Sequence, residues 1–395
     1  MKFAQNCDTP DQIASNMTTE FDAFESADEH QNERELVDVD RPSTVGCVRM
    51  QSSVASSIKL PAFYCPFRSA IHADALNIEE GTIGWMKRYG YIQTTSEEKT
   101  ARDAQFGLRA ARVHPTGSTE AIQLVSDLTV WLFLTDDVYV EEPGMSKTLP
   151  VTVDHVIRSI RVLRDPADLP QAPSASLLAL QDISRRLRDL ATHEQVIRIV
   201  NGMVEFFLAG CCEAVSFSRK ALPTVADYIP VRDSINCLRS VCFVFIEIAG
   251  GYELTGSTWC RPDLQAVVNK ATRIISNHHD ILSGLRELSQ DVPMNLPAVI
   301  AREQRLPMTQ AFARVGDLAN TDTRSFVEMS ERLLANEPDP SVEKYVHGLK
   351  AWIRGNLDWS LTTGRYRVCD YLHPQVLPTS QFSLGRYEDG RTHGS

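Results

Sequence analysis

The chain has 395 residues, of which 43% are apolar, and a formal net charge of −11, so it can bury a sizeable core. The negative charge argues against a general affinity for nucleic acid or anionic lipid, and no window has the uninterrupted apolar length that stable membrane insertion needs. The nine cysteines include no CxxC pair and the N-terminus lacks a secretory signal, so we expect a cytoplasmic protein without zinc or a disulfide framework.

Residues 1–56 are rich in Asp, Glu, Gln, Ser and Thr, which predicts a disordered leader because such a composition cannot bury enough apolar surface. The first helix is expected near Ala75 to Gly90. Beyond it, apolar residues recur every three or four positions and no series of alternating strands stands out, so the pattern predicts an all-α fold. Loops are expected where Pro and Gly cluster: Glu142 to Gly144, Asp165 to Pro173, Leu222 to Pro230, and Asn336 to Pro340.

Two adjacent carboxylates, Asp136 and Asp137, follow the apolar run Val130 to Thr135 at the end of a predicted helix, and Glu141 comes shortly after them. Anions at a helix C-terminus oppose the helix dipole and cost stability. A solvated loop could explain such a pair. The alternative is a site for Mg²⁺, which prefers hard oxygen ligands.

A second polar stripe lies further along the chain, where His279, Ser283 and Glu287 are spaced four residues apart and share one helix face. The stripe continues from the apolar residues Ala271 and Ile275, so these polar groups are expected to point inward. Buried polar groups need partners, and a cation is one of them. The alternative is an ordinary surface turn of helix in solvent.

Together the two segments resemble the metal motifs of class I terpene synthases of the bacterial type. Asp136, Asp137 and Glu141 match the family's DDxxxE motif. Ser283 and Glu287 match its NxxxSxxxE motif, in which His279 replaces the usual Asn.

Imidazole is a less usual Mg²⁺ ligand than an amide oxygen. Either His279 contacts the metal, directly or through water, or Asn277 takes its place. The register with His279 is preferred because it keeps Ser283 and Glu287 in phase.

Basic residues extend the resemblance. Arg365-Tyr366 resembles the family's C-terminal RY pair, Arg232 lies where the family carries a diphosphate-sensing arginine, and Arg286 lies where relatives often have a basic diphosphate contact. A guanidinium suits this role because it can donate two parallel hydrogen bonds to phosphate oxygens. The small residue and helix break that relatives usually show after the sensing arginine are replaced by Ile235 and Asn236.

The resemblance implies a single-domain α-helical bundle over residues 57–371 with a central active-site cavity, followed by a flexible tail at 372–395. It implies three Mg²⁺ ions and a linear prenyl diphosphate substrate, with farnesyl diphosphate favoured and a monoterpene or diterpene synthase next. A homodimer is left open. The implied metal ligands are Asp136, Asp137, Glu141, His279, Ser283 and Glu287, and the implied diphosphate contacts are Arg232, Arg286, Arg365 and Tyr366.

Two aromatic residues, Phe133 before Asp136 and Trp359 before the RY pair, are the candidates for stabilising a carbocation through their ring faces. The alternative for either ring is plain core packing.

Three other functions compete with this one. Isoprenyl diphosphate synthases share the fold and the Mg²⁺–diphosphate chemistry but use two aspartate-rich motifs, and this chain has one. The run His278-His279-Asp280 resembles HD-type metal phosphohydrolases, whose further ligands cannot be placed here. The non-enzymatic alternative is a helical scaffold with solvated charged faces, which would have no Mg²⁺-dependent affinity for diphosphate.

Overall fold

The computed structural model describes residues 58–137, 149–288, 293–366 and 375–377, and these residues are almost entirely helical. A π-helix, Leu238–Cys242, and a 3-10 turn, Gly364–Tyr366, accompany two short strands, β1 (Phe63–Tyr64) and β2 (Val376–Leu377). The prediction of an all-α fold is therefore confirmed. The described residues form fourteen α-helices: α1 (Ala75–Arg88), α2 (Thr95–Ala104), α3 (Phe106–Val113), α4 (Thr119–Asp136), α5 (Leu149–Arg164), α6 (Ala175–Leu190), α7 (His193–Arg219), α8 (Val225–Ile235), α9 (Val244–Gly250), α10 (Gly256–Trp259), α11 (Pro262–Glu287), α12 (Leu296–Gln304), α13 (Met308–Leu334) and α14 (Pro340–Thr362).

Side-chain caps start several of these helices. The Thr94 hydroxyl accepts a hydrogen bond from the Glu97 backbone N–H, while the Glu97 carboxylate accepts one from the Thr94 backbone N–H at the start of α2. Thr192 and Gln195 form the same reciprocal pair at the start of α7. Ser118 caps α4. These contacts satisfy backbone donors that have no partner within the helix.

Most of the predicted boundaries hold. The first helix begins at Ala75 as expected, and the segments Asp165 to Pro173 and Asn336 to Pro340 separate helices. The loop prediction for Leu222 to Pro230 is wrong from Val225 onward. Thr224 caps α8 there, and the helix continues through the exposed Pro230. The segment Glu142 to Gly144 and the leader at 1–56 lie outside the described residues.

Helix α4 is central to the bundle and packs against α1, α3, α6 and α9. Its predicted apolar stripe is buried. It also buries Asp127, which accepts a hydrogen bond from Arg186 of α6 at 2.8 Å. These neighbours enclose most of the helix, and its C-terminal residues begin the first acidic motif. The apolar stripe consists of Ile122, Val125, Leu128 and Leu132.

Two glycines let neighbouring segments approach the centre of the bundle. A side chain at Gly355 of α14 would collide with the backbone carbonyl of Arg112 on α3, at 2.4 Å from the oxygen. A side chain at Gly202 of α7 would collide with Ser240 of the π-helix, at 2.6 Å. The absence of Cβ atoms at these positions brings α14 against α3 and the π-helix against α7.

The two strands tie the start of the described chain to its end. β1 and β2 are parallel, with Phe63 opposite Val376. Asn320 of α13 fixes β1, because its side chain accepts a hydrogen bond from the Tyr64 backbone N–H at 2.7 Å and donates one to the Ala62 carbonyl at 3.0 Å. Strand β2 belongs to the segment expected to be a flexible tail, and it is paired here.

By length and composition alone, α7 is the one described helix that could span a membrane, because it contains an 18-residue apolar window with a mean hydropathy of 1.4. Half of that apolar window is buried inside the fold. Core helices satisfy the same criteria, so the composition of α7 is weak evidence for insertion.

Candidate active site

A cavity opens among α4, α7, α8, α11 and α14, with about 920 Å³ of empty space including its mouth. The acidic residue Asp136 of α4 and Glu287 of α11 both line it, as do apolar side chains such as Phe206 and Phe217 of α7. The predicted site residues that line the cavity are Phe133, Asp136, Arg232, His279, Glu287 and Trp359.

The acidic end of α4 is joined to the C-terminal motif. Arg365 Nη2 donates a hydrogen bond to Asp137 Oδ1 at 2.6 Å, and the Arg365 side chain is only 3% exposed. The same guanidinium lies 4.8 Å from the ring centroid of Phe133. Arg365 thus offsets the cost of a carboxylate at a helix C-terminus. Glu141, the third acidic residue of the motif, lies outside the described residues.

The RY pair is held in place by its neighbours. Thr363 accepts a hydrogen bond from the Arg365 backbone N–H and donates one to the Ala104 carbonyl at 2.9 Å. The buried Tyr366 ring packs edge-on against Trp359 at 5.4 Å and His279 at 5.3 Å between centroids. This turn therefore contacts α2, α14 and α11.

The predicted stripe on α11 faces inward. Ser283 is fully buried and donates to the His279 carbonyl at 2.8 Å. Glu287 is also buried, and its Oε2 accepts a hydrogen bond from Asn295 at 2.8 Å. Burial raises the pKa of the Tyr366 hydroxyl. The positive charges of Arg365 and of Arg286, which directly precedes Glu287, act in the opposite direction. The surface-turn alternative is wrong for Ser283 and Glu287.

His279 contacts the guanidinium of Arg232. Its Nδ1 lies 2.8 Å from Arg232 Nη2 and accepts that hydrogen bond, since arginine can only donate. Burial lowers the pKa of His279 to about 4 despite the neighbouring Asp280, so the ring is neutral at pH 7. A metal contact through Nδ1 would have to replace the hydrogen bond from Arg232.

Asp280 belongs to the site although it was not predicted from the sequence. Asp280 Oδ1 accepts a hydrogen bond from Arg232 Nε at 2.8 Å, and Oδ2 accepts from the Tyr228 hydroxyl at 2.7 Å and the Leu296 backbone N–H at 3.0 Å. Burial alone would raise the pKa of Asp280, but Arg232 and the other donors hold it below its usual value. Tyr228 and Arg232 are four residues apart on α8, and this spacing is the sequence signal that could have indicated a shared partner.

The helix break that the sequence analysis judged missing is present. Helix α8 ends at Ile235, Cys237 adopts a left-handed conformation with φ 54°, and the π-helix starts at Leu238. Asn236 Nδ2 donates to Ser276 Oγ of α11 at 2.6 Å, and both residues line the cavity. The break therefore places an amide side chain at the wall beside Arg232.

Aromatic side chains line the cavity close to the RY pair. Phe133 and Trp359 lie 6.0 Å apart between ring centroids, and Phe106 packs against both. Beside them is Arg109 of α3, another residue that the sequence analysis missed. Its guanidinium lies 5.2 Å from the centroid of Trp359 and 5.9 Å from that of Phe133. The sequence signal that could have indicated Arg109 is a single charged residue on the otherwise apolar buried face of α3.

Within the described part of the chain, no three His, Cys, Asp or Glu side chains are close enough to hold a metal ion together. The chemistry of the donors nevertheless fits Mg²⁺. Asp136 and Glu287 contribute carboxylates to one cavity, Asp137 directly follows Asp136, and Ser283 is hydrogen-bonded to His279, which lines it. These are hard oxygen donors on two helices.

The chain matches a family model described as "Terpene synthase family 2, C-terminal metal binding" over residues 127–325, which include the C-terminal half of α4 and the whole of α11. It is 32% identical to the (+)-T-muurolol synthase ((2E,6E)-farnesyl diphosphate cyclizing) of Roseiflexus castenholzii, over 80% of this chain and 96% of the relative. It is 26% identical to the 4-epi-cubebol synthase ((2E,6E)-farnesyl diphosphate cyclizing) of Streptosporangium roseum, over 78% and 92%.

The fold is also similar to solved structures. The germacradien-4-ol synthase from Streptomyces citricolor superposes with a TM-score of 0.65 at 22% identity, and the match covers 76% of this chain and 97% of that one. At this identity the likeness shows the fold alone, which is the all-α fold of class I terpenoid synthases.

Proposed function

This chain belongs to the class I terpene synthases of the bacterial type, and we propose that it ionises farnesyl diphosphate and cyclises the carbocation to a terpene with release of diphosphate. The observation that carries the proposal is that Asp136 and Glu287, from distant parts of the chain, line one cavity that aromatic and apolar side chains also line. Family membership sets aside the phosphohydrolase and scaffold alternatives. Cytoplasmic localisation and a homodimer stay predictions.

The acidic residues would hold the metal. We assign Asp136, Asp137, Ser283 and Glu287 as the ligands of three Mg²⁺ ions, with Glu141 and His279 as further candidates. Bound Mg²⁺ would neutralise diphosphate charge and so improve the leaving group. Ser283 is oriented by the His279 carbonyl and Glu287 by Asn295.

The basic residues would bind the diphosphate. Arg365 contacts Asp137 of the first acidic motif, whereas Tyr366 and Arg232 both contact His279 of the second, so these residues border the same region. Their N–H and O–H groups can donate to phosphate oxygens, and Arg286 adds a further positive charge nearby. Asp280 holds Arg232 in position through the Nε contact.

The aromatic and apolar residues would enclose the prenyl chain. Phe133, Trp359, Phe206 and Phe217 line the cavity and would shield a reactive cation from bulk water. Farnesyl diphosphate is favoured over the geranyl and geranylgeranyl esters because the names of the T-muurolol and 4-epi-cubebol synthases state that substrate.

The test is to incubate the full chain with each of the three prenyl diphosphates and to measure released diphosphate and volatile products by gas chromatography with mass spectrometry. We expect product from farnesyl diphosphate with Mg²⁺ and none when EDTA removes the metal. No diphosphate release from any of the three substrates, or equal release with EDTA, would overturn the proposal.

A further inference from the structure

Arg109 is a buried cation in the wall of the cavity. The residue is 6% exposed, and in the described part of the chain no carboxylate contacts it. Three arginines that are partly buried differ in this respect, since Arg365 pairs with Asp137, Arg232 with Asp280 and Arg198 with Glu247. A buried charge without a counterion is costly, so its retention at this position calls for an explanation.

Neutral neighbours hold the guanidinium in place. Nε donates to Asn356 Oδ1 of α14 at 3.1 Å, and Nη1 donates to Thr129 Oγ1 of α4 at 3.2 Å. Three rings surround it, with Trp352 and Trp359 each at 5.2 Å and Phe133 at 5.9 Å from Cζ. The close approach of α14 to α3 at Gly355 brings Asn356 to this position.

The remaining nitrogen, Nη2, makes no hydrogen bond within the described residues, although Arg109 lines the cavity together with Thr129 and Asn356. Because Arg109 lines the cavity, an acceptor placed in the cavity can reach its N–H groups. These N–H groups require an acceptor. Because Arg109, Thr129 and Asn356 form a polar patch in the cavity wall, an oxygen atom is the natural ligand.

A prenyl chain has no oxygen beyond its diphosphate, so its hydrocarbon part cannot satisfy Nη2. Covering a charged donor with hydrocarbon is unfavourable, whereas a water molecule can accept from Nη2 and donate to Asn356 or Thr129. Water is therefore expected to stay beside Arg109 when the cavity is filled by the chain.

We propose that Arg109 holds a water molecule that captures the carbocation, so that the product is a terpene alcohol. The inference rests on the proposed function. A lone pair of the water oxygen forms the C–O bond with the cationic carbon, and the oxonium loses its proton to the diphosphate that ionisation has released. Arg109 keeps its own proton throughout.

The positive charge of Arg109 also favours capture of the carbocation by water. Like charges repel strongly in a cavity of low dielectric, so a carbocation near the guanidinium is short-lived. The faces of Phe133 and Trp359 are also less able to stabilise a second cation, because they already contact the first. Capture by water moves the positive charge from carbon to the oxonium, and the transfer of the oxonium proton to diphosphate then removes it and ends this repulsion.

The test is turnover in H₂¹⁸O, with the products analysed by mass and counted per diphosphate released. The wild-type protein is expected to give mainly ¹⁸O-labelled alcohol. Arg109→Met keeps the length of the side chain but loses its charge and donors, and it is expected to lower the ratio of alcohol to hydrocarbon by about tenfold or more. Thr129→Val should lower the ratio in the same direction.

Arg112→Met is the matched control, because Arg112 is on the same helix but does not line the cavity. Its product ratio should equal that of the wild type. Unlabelled hydrocarbon as the main wild-type product would overturn the inference while diphosphate release still supports the proposed function. An unchanged ratio in folded Arg109→Met would also overturn it. If Arg109→Met does not fold, as judged by circular dichroism, an unchanged ratio in Thr129→Val decides against it.

Discussion

Arg365 Nη2 donates a hydrogen bond to Asp137 Oδ1 across 2.6 Å, and this contact joins the C-terminal RY pair to the first acidic motif. Both residues are expected to contact the diphosphate–metal cluster. The arginine can therefore exchange a carboxylate partner for a phosphate partner with little movement of its backbone. The pair is largely shielded from solvent, so such an exchange would replace one anionic partner by another in similar surroundings.

Asp136→Asn should lower turnover by at least about 100-fold, because an amide is a weaker Mg²⁺ ligand than a carboxylate. Thermal unfolding should change little, since Asp136 is the last residue of α4. Diphosphate release at saturating farnesyl diphosphate is the measurement. Asp189→Asn, an exposed substitution on α6, is the control and should retain full activity. Undiminished turnover in Asp136→Asn would count heavily against its assignment as a ligand.

Arg365→Lys should reduce kcat/KM by at least about tenfold, because lysine keeps the charge but loses the planar pair of donors. Steady-state kinetics on farnesyl diphosphate measures this. Arg354→Lys, which alters an arginine paired with Asp358 away from the cavity lining, is the comparison. Equal kinetics in the two variants would contradict a diphosphate role for Arg365.

Asp280→Asn should destabilise the protein by about 3 kcal/mol, because it leaves the guanidinium of Arg232 buried without its counterion. Tyr228→Phe removes one hydrogen bond to the same carboxylate and should cost only about 1 kcal/mol. Urea unfolding of both variants gives the two values. Equal losses would show that Asp280 does not act mainly as the partner of Arg232.

His279→Asn should keep or improve activity, because an amide oxygen can both accept the hydrogen bond from Arg232 and bind Mg²⁺. His279→Ala offers neither contact and should lose about tenfold in kcat/KM. The comparison of these two variants under identical Mg²⁺ concentrations is decisive. Complete inactivation of His279→Asn would mean that the imidazole has a specific role.

Burial lowers the pKa of His278 to about 3, and neither ring nitrogen has a hydrogen-bond partner within the described residues. An unfolded histidine titrates near ~6.5, so between these values the unfolded chain binds more protons than the folded one. The stability present above pH ~6.5 is therefore lost as the pH falls toward 3. At pH 5, His278→Leu should therefore have lost about 2 kcal/mol less stability than the wild-type protein.

Urea unfolding at pH 8 and pH 5 measures the effect of His278→Leu. The two proteins should lose different amounts of stability between these pH values, while His114 and His155, whose pKa values burial also lowers to about 3, are common to both. Parallel losses would show that His278 is not neutral and buried in solution.

The parts of the site that follow helical spacing could be predicted from the sequence. Four-residue spacing placed Ser283 and Glu287 on one buried face, and the apolar stripe of α4 led to Asp136. The partners of Asp280 and Arg109 could not be predicted, because they come from other helices and depend on how those helices pack. Pro230 suggested a loop, but the cap at Thr224 and the contacts of Tyr228 outweigh the lost hydrogen bond.

The pairing of β1 with β2 has a practical consequence for anyone who wishes to trim this protein or attach a tag. The Phe63 backbone N–H donates to the Gln375 carbonyl at 2.9 Å, and the Phe63 ring packs on His278, one residue before the second metal motif. Shortening the C-terminus to residue 371 would remove this support. Versions made for crystallisation should therefore extend at least to Leu377.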